Sequence, residues 1–194
     1  MNVAVACANL GIAYSNGWGV SKDEKKGTAL FQRACDGGDA IGCFSAGVGY
    51  RDGAGVARDR RRSADLFEKA CANDYVSGCV ELGIQLETGD GITSDPQRAI
   101  RYYGDACDKG DAFGCANLAK VFFDGKLAPA DHARARELSE KACDANLRNG
   151  CGMLGALLYD GAGGPKDTVR GKALLQKACS LGDQGACGIV PKLR

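Results

Sequence analysis

The sequence predicts an all-α fold, a right-handed αα solenoid braced by disulfides and filling residues 1–194 as a single array. Three observations predict it. Cys7, Cys43, Cys79, Cys115, Cys151 and Cys187 follow one another at 36 residues, and Cys35, Cys71, Cys107, Cys143 and Cys179 keep the same interval with no insertion. Within each period apolar residues recur at helical spacing on two stretches. Cap-forming residues then punctuate those stretches at matching positions in every copy.

The first helix of each unit reads C-x-x-L-G. Leu10, Leu82, Leu118 and Leu154 stand three residues after the cysteine, with Ala46 as the exception, and Tyr14, Tyr50, Leu86, Phe122 and Leu158 stand four further on. Gly11, Gly47, Gly83, Ala119 and Gly155 lie between them, small enough to let a neighbouring helix come close. The helix is expected to stop at Gly17, Gly53, Gly89, Gly125 and Gly161, each a left-handed C-terminal cap. The second helix opens at Asp23, Asp59, Asp95, Asp131 and Asp167, an N-cap in every copy, and Pro96 suits the first helical position. It carries Leu30, Leu66, Tyr102, Leu138 and Leu174 and runs into "KAC" or a relative of it.

Three residues past that second-helix cysteine come Gly38, Asp74, Gly110, Asn146 and Gly182, residue types that tolerate positive φ. Asp39, Asp111 and Asp183 follow and can cap the next helix, whereas Tyr75 and Leu147 cannot. Connections this short make consecutive helices antiparallel neighbours. Hairpins are therefore expected over about 3–36, 39–72, 75–108, 111–144 and 147–180, with a short last helix over 183–190 stopped by Pro191.

With 25 basic and 24 acidic residues the net charge is +1, so no global field draws the chain to nucleic acid or to an anionic membrane. No apolar run reaches transmembrane length, and no membrane insertion is expected. The first twenty residues lack a basic n-region and match a repeat unit, so no signal peptide is expected in this chain.

Eleven cysteines against one histidine ask for an account of the sulfur. The octet "ACDGGDAIGC" recurs five times. In one unbroken helix its cysteines would lie about 12 Å apart, too far for a disulfide, whose Cα atoms need roughly 4.4–6.8 Å. The cap-and-restart signals inside the octet supply the reversal, and pair Cys35–Cys43, Cys71–Cys79, Cys107–Cys115, Cys143–Cys151 and Cys179–Cys187, leaving Cys7 as a free thiol. A pairing of cysteines 28 apart, such as Cys43 with Cys71, stays open on spacing alone and would orphan Cys187 instead. Zinc fits less well: each octet offers two ligands, and His132, the sole histidine, lies mid-period. No metal and no cofactor is expected.

The 36-residue unit with "GWGVSKD", "GAGVARD" and "DACDKGDAFGCANL" resembles the Sel1-like repeat family, and its paired cysteines resemble the cysteine-rich branch typified by the Helicobacter cysteine-rich proteins. The resemblance covers essentially the whole chain, with "GKLAPAD" in the fourth unit departing from "GxGVxxD". It implies a TPR-like solenoid and the eight-residue pairing. It also implies an adaptor-like role in bacterial signalling or host interaction, and, as an alternative, β-lactam or peptidoglycan-fragment binding with weak β-lactamase activity.

No catalytic residue is expected: S-x-x-K, S-D-N and K-T-G are absent, and His132 beside the Asp131 cap reads as exposed surface. A ligand is expected on the first helices, which line the concave side of such solenoids. The outward stripe, one, five and eight residues after each cysteine, reads Ala8/Ile12/Ser15, Phe44/Val48/Arg51, Val80/Ile84/Glu87, Ala116/Lys120/Phe123 and Gly152/Ala156/Tyr159. Phe44, Arg51, Glu87, Lys120, Phe123 and Tyr159 are the candidate ligand-binding residues. A second column, Lys26, Arg62, Arg98, Arg134 and Arg170, is expected to form a local ion-pair ladder near the aspartate caps. The expected function is non-catalytic binding of a protein or peptide by a periplasmic or secreted scaffold.

Overall fold

In the computed structural model, which describes residues 3–193, local capping chemistry writes the architecture. The helices are α1 (Val3–Asn16), α2 (Glu24–Asp36), α3 (Ala40–Asp52), α4 (Arg60–Ala72), α5 (Val76–Thr88), α6 (Pro96–Asp108), α7 (Ala112–Asp124), α8 (His132–Asp144), α9 (Arg148–Asp160), α10 (Thr168–Ser180) and α11 (Gln184–Ile189), closed by a 3-10 turn at Val190–Lys192. The chain forms two compact units, residues 1–102 and 103–194, divided within α6.

Each even-numbered helix through α10 starts on an aspartate whose side chain accepts from the N–H three residues on: Asp23 from Lys26, Asp59 from Arg62, Asp95 from Arg98, Asp131 from Arg134 and Asp167 from Arg170. The same aspartates donate their own N–H to the carbonyls of Tyr14, Tyr50, Leu86, Phe122 and Leu158, which ties each hairpin shut. The preceding helices α3, α5, α7 and α9 end on glycines in the left-handed region, at φ 76°, 73°, 66° and 77° for Gly53, Gly89, Gly125 and Gly161.

Between hairpins, Gly38, Asp74, Gly110, Asn146 and Gly182 all have positive φ. The next residue's N–H reaches back to the carbonyl five residues earlier, as from Asp39 to Ala34 and from Tyr75 to Ala70, the bond of a Schellman motif. Tyr75 and Leu147 make no side-chain cap. Tyr75 instead sets its ring 5.0 Å from that of Phe44, an aromatic contact in place of a cap.

This reversal brings the octet cysteines together. Cα separations are 4.3, 4.7, 4.5, 4.4 and 4.6 Å for Cys35–Cys43, Cys71–Cys79, Cys107–Cys115, Cys143–Cys151 and Cys179–Cys187, all bonded. The residue before the second cysteine is glycine in four copies because a Cβ there would meet the alanine before the first: 2.5 Å from Ala34 Cβ at Gly42 and 2.8 Å from Ala70 Cβ at Gly78. Cys7 is unpaired and half-buried.

In the first unit Phe31, Cys35, Cys43, Ala46, Leu66 and Ala70 form a core with Ile12, Phe44, Tyr50 and Tyr75 packed on it. In the second, Cys143, Cys151, Leu154, Leu158, Leu175, Ala178 and Ala186 do so, with Val190 and Leu193 closing against them. Sulfur is thus part of the core as well as a staple.

Candidate functional site

The first unit holds a cleft of about 330 Å³. Ile12, Ser15 and Asn16 of α1 form one wall and Phe44, Ser45, Val48 and Gly49 of α3 the other, while Thr28 and Phe31 of α2 lie at its base. The Thr28 hydroxyl donates to the Ala54 carbonyl at 2.8 Å, fixing the loop after α3 over that base. Glu24, in an ion pair with Lys22, and Asn16, whose amide donates to the Ile12 carbonyl, also line the cleft. An apolar interior with a few polar groups at the rim is what a binding pocket for a side chain or small apolar group requires. Gly49 lets α3 lie close against Thr28: a Cβ there would stand 2.9 Å from Thr28 Oγ1, and the equivalent residues are Ala13, Gln85, Val121 and Leu157.

Of the expected binding residues, Phe44 lines this cleft, half-buried against the rings of Phe67 at 5.6 Å and Tyr75 at 5.0 Å. Arg51 is engaged elsewhere. Its guanidinium donates to both Asp52 oxygens, at 2.8 and 3.1 Å, and to Glu81 of α5 at 2.8 Å. The Asp52 carboxylate, aided by Glu81, raises Arg51 above the ordinary arginine range, and the Arg51 guanidinium holds Asp52 below the ordinary carboxylate range. Glu87 is half-buried and its carbonyl accepts from Ser94.

In the second unit Lys120 and Phe123 are exposed on α7, the Phe123 ring 5.7 Å from that of His132, itself exposed. Tyr159 of α9 is half-buried under the Lys166 ammonium, 5.8 Å from its ring centre. The outward stripe needs one correction. At its first position Ala8, Val80 and Ala116 are buried at 3–5 % exposure, while Phe44 and Gly152 are half-buried; beside Val80 and Ala116 a disulfide clips this turn to the helix before it. Thr28, Phe31 and Gly49 were not among the expected residues, although the drop in size at Gly49 relative to the other copies was visible in the repeat register.

The basic column departs from a purely local ladder. Lys26 pairs with its own cap Asp23, but Arg98 pairs with Glu68 and Arg170 with Glu140, each thirty residues earlier on the preceding second helix. Arg62 and Arg134 lie over the rings of Tyr50 and Phe122 at 4.2 and 4.1 Å. Among the described residues no group of three or more His, Cys, Asp or Glu side chains is placed to hold a metal ion. Among them, too, no helix is long and apolar enough to cross a membrane.

Solved structures share this architecture. The Sel1 repeat protein from Oxalobacter formigenes matches with a TM-score of 0.89 at 25 % identity, over 95 % of this chain and 76 % of that one. The antigen c5321 of uropathogenic Escherichia coli, described as a protective antigen displaying an SLR fold, matches with a TM-score of 0.89 at 25 % identity. That match takes in 99 % of this chain but only 41 % of the antigen. Helicobacter pylori cysteine rich protein B matches with a TM-score of 0.54 at 30 % identity, over 68 % of this chain and 95 % of its own. No curated protein sequence matched the chain. The Sel1 repeat family model aligns with residues 4–39, 40–75, 76–111, 112–147 and 149–183, nearly the whole array, and the chain therefore belongs to the Sel1 repeat family.

Proposed function

We propose that this chain is a non-catalytic repeat scaffold that binds a protein or peptide partner through its first helices, and that it works in the periplasm or outside the cell. The observation that carries the reading is the cleft between α1 and α3, which apolar Ile12, Phe31, Phe44 and Val48 line together with polar Ser15, Asn16 and Ser45. Its volume suits one large side chain of a peptide and its rim groups suit the adjoining backbone. Phe123, Lys120 and Tyr159 offer further anchors on the second unit's own first helices. Five disulfides suit an oxidising compartment. Ser15 and Ser45 are the hydroxyls on the cleft walls, and among the described residues no lysine or histidine lines the cleft beside them, which supports binding over acylation of a β-lactam.

The test is selection of a displayed random peptide library on the wild type and on Val48→Arg. Peptides with a shared large apolar residue should be enriched on the wild type and lose binding at least tenfold on the variant, at unchanged thermal midpoint. Equal enrichment on both proteins would refute the cleft. Nitrocefin turnover by the purified chain, abolished in Ser15→Ala or Ser45→Ala, would replace binding with hydrolysis.

A further inference from the structure

The surface that later first helices bury against the preceding unit lies open on α1. Leu10 is 44 % exposed, where Leu82, Leu118 and Leu154 are at 3 %, 7 % and 2 %. Cys7 is unpaired and half-buried, whereas Cys43, Cys79, Cys115 and Cys151 are buried and bonded to the last turn of the second helix before them. The loop after α1 carries the same vacancy. A Cβ on Gly55 would fall 2.2 Å from the Lys25 nitrogen, one on Gly91 2.2 Å from Arg60 Cβ and one on Gly163 2.2 Å from the His132 carbonyl, so each glycine lies against the first turn of the preceding second helix. Gly19 keeps the same left-handed shape, φ 70° against 69°, 85° and 73°, with nothing within 4 Å of its Cβ position among the described residues. Beside it Trp18 is 68 % exposed, where Ala54 takes the Thr28 hydroxyl and Asp90 pairs with Arg60.

Helix, loop and thiol thus continue one interface that the chain forms repeatedly within its own units. We propose that this edge docks the second helix of an αα unit of the same repeat type, presented by a partner protein and carrying a free cysteine in its last turn. A second copy of this chain does not supply it, because Cys35, Cys71, Cys107, Cys143 and Cys179 are already in disulfides. Ala6 stands where four copies have glycine, and does not bar the contact: Ala186 occupies that position in the last copy and packs on α10 in the same core as Ala178. In a glutathione buffer the two thiols give up two protons and two electrons to one glutathione disulfide. A protein disulfide forms and two molecules of reduced glutathione leave.

The test grafts a copy of residues 112–147, with its Cys115 replaced by serine so that the copied Cys143 is the one grafted cysteine, directly ahead of Ala4 in the full chain, which sets that cysteine eight residues before Cys7. Tethering brings the unit to the face at high effective concentration. Trp18 is the sole tryptophan, so its emission reports the edge directly. Expected are a peptide containing Cys7 bonded to the grafted cysteine, emission at shorter wavelength, and iodide quenching reduced several-fold. Gly19→Val in the graft should restore the quenching, and replacing the grafted cysteine by serine should leave the emission shift in place. A graft with Cys7 still alkylated and Trp18 still quenched as in the native chain overturns the proposal, whether or not the added unit is helical by circular dichroism. So does a Cys7-linked dimer of the native chain that shields Trp18, since the occupant would then be a second copy.

Discussion

Cutting the staples one at a time, and then together, tests whether the array depends on sulfur. Each octet closes a loop of about nine residues, and fixing such a loop in the unfolded chain contributes roughly 2.6 kcal/mol by chain entropy at 25 °C. Cys71→Ala with Cys79→Ala removes one closure without leaving a polar atom in the core, so the loss should be close to that figure. With a urea slope of about 2–3 kcal/mol per molar, the unfolding midpoint should fall by about 1 M. Five closures give about 13 kcal/mol, as large as the whole stability of an ordinary domain, which is about 5–15 kcal/mol. Full reduction of the wild type should therefore leave little or no folded array at 37 °C. The assay is urea unfolding followed by far-ultraviolet circular dichroism, for the double variant and for the wild type with and without a thiol reductant. A reduced wild type with the oxidised midpoint would refute the reasoning and, with it, the case for an oxidising compartment.

Two further outcomes follow from single side chains. Ser139 is fully buried where other copies place Phe31, Phe67, Tyr103 or Leu175, and its hydroxyl has no hydrogen-bond partner among the described residues. Ser139→Ala should thus stabilise the protein by roughly 1 kcal/mol, raising the thermal midpoint by about 2–4 °C, and calorimetry would show a loss instead if the hydroxyl were satisfied. Asp52 has a folded pKa below its unfolded one, so its contribution is present above about pH 4 and is lost as pH falls through the folded value. Asp52→Asn should therefore cost under about 1 kcal/mol at pH 7, the side chain being half exposed and screened by water, and wild type and variant should converge in urea titrations at pH 2.5.

What was legible in the sequence was local. An aspartate that caps and a glycine that takes positive φ act over three to five residues, and the octet pairing follows from where those two stand. The candidate cleft was less legible because it is made between neighbouring repeats of the first unit. Counting along one helix places Ala8, Val80 and Ala116 outward, yet all three are buried, Val80 and Ala116 on a turn that a disulfide clips to the helix before it. Counting also marks Arg51 as an available cation, yet Glu81, thirty residues on, neutralises it from the next first helix. Gly49 carries the better signal. It is the smallest member of a column that elsewhere holds Ala13, Gln85, Val121 and Leu157, a difference the register shows, but its role in setting α3 against Thr28 emerges only when the neighbouring helices are set beside it.

The basic column shows how much of this between-unit logic a spacing of thirty residues can carry. Thirty residues before Arg62, Arg98, Arg134 and Arg170 stand Gln32, Glu68, Gly104 and Glu140; twelve before them stand Tyr50, Leu86, Phe122 and Leu158. The two columns alternate. Where the earlier residue is glutamate the later one is leucine, and the arginine makes an ion pair one unit back, as Arg98 and Arg170 do. Where the earlier residue is glutamine or glycine the later one is aromatic, and the guanidinium lies over the ring, as with Arg62 on Tyr50 and Arg134 on Phe122. A planar guanidinium accepts either partner, a carboxylate at its edge or a ring at its face, which an ammonium does less well. Only the first copy uses lysine, and Lys26 both lies over the ring of Tyr14, twelve residues earlier, at 5.3 Å and pairs with its own cap Asp23 at 3.3 Å. The column's charge is therefore taken up within the scaffold. Under the proposed binding function, partner selection then falls to positions whose residue type changes from copy to copy, such as Ile12, Val48, Lys120 and Phe123.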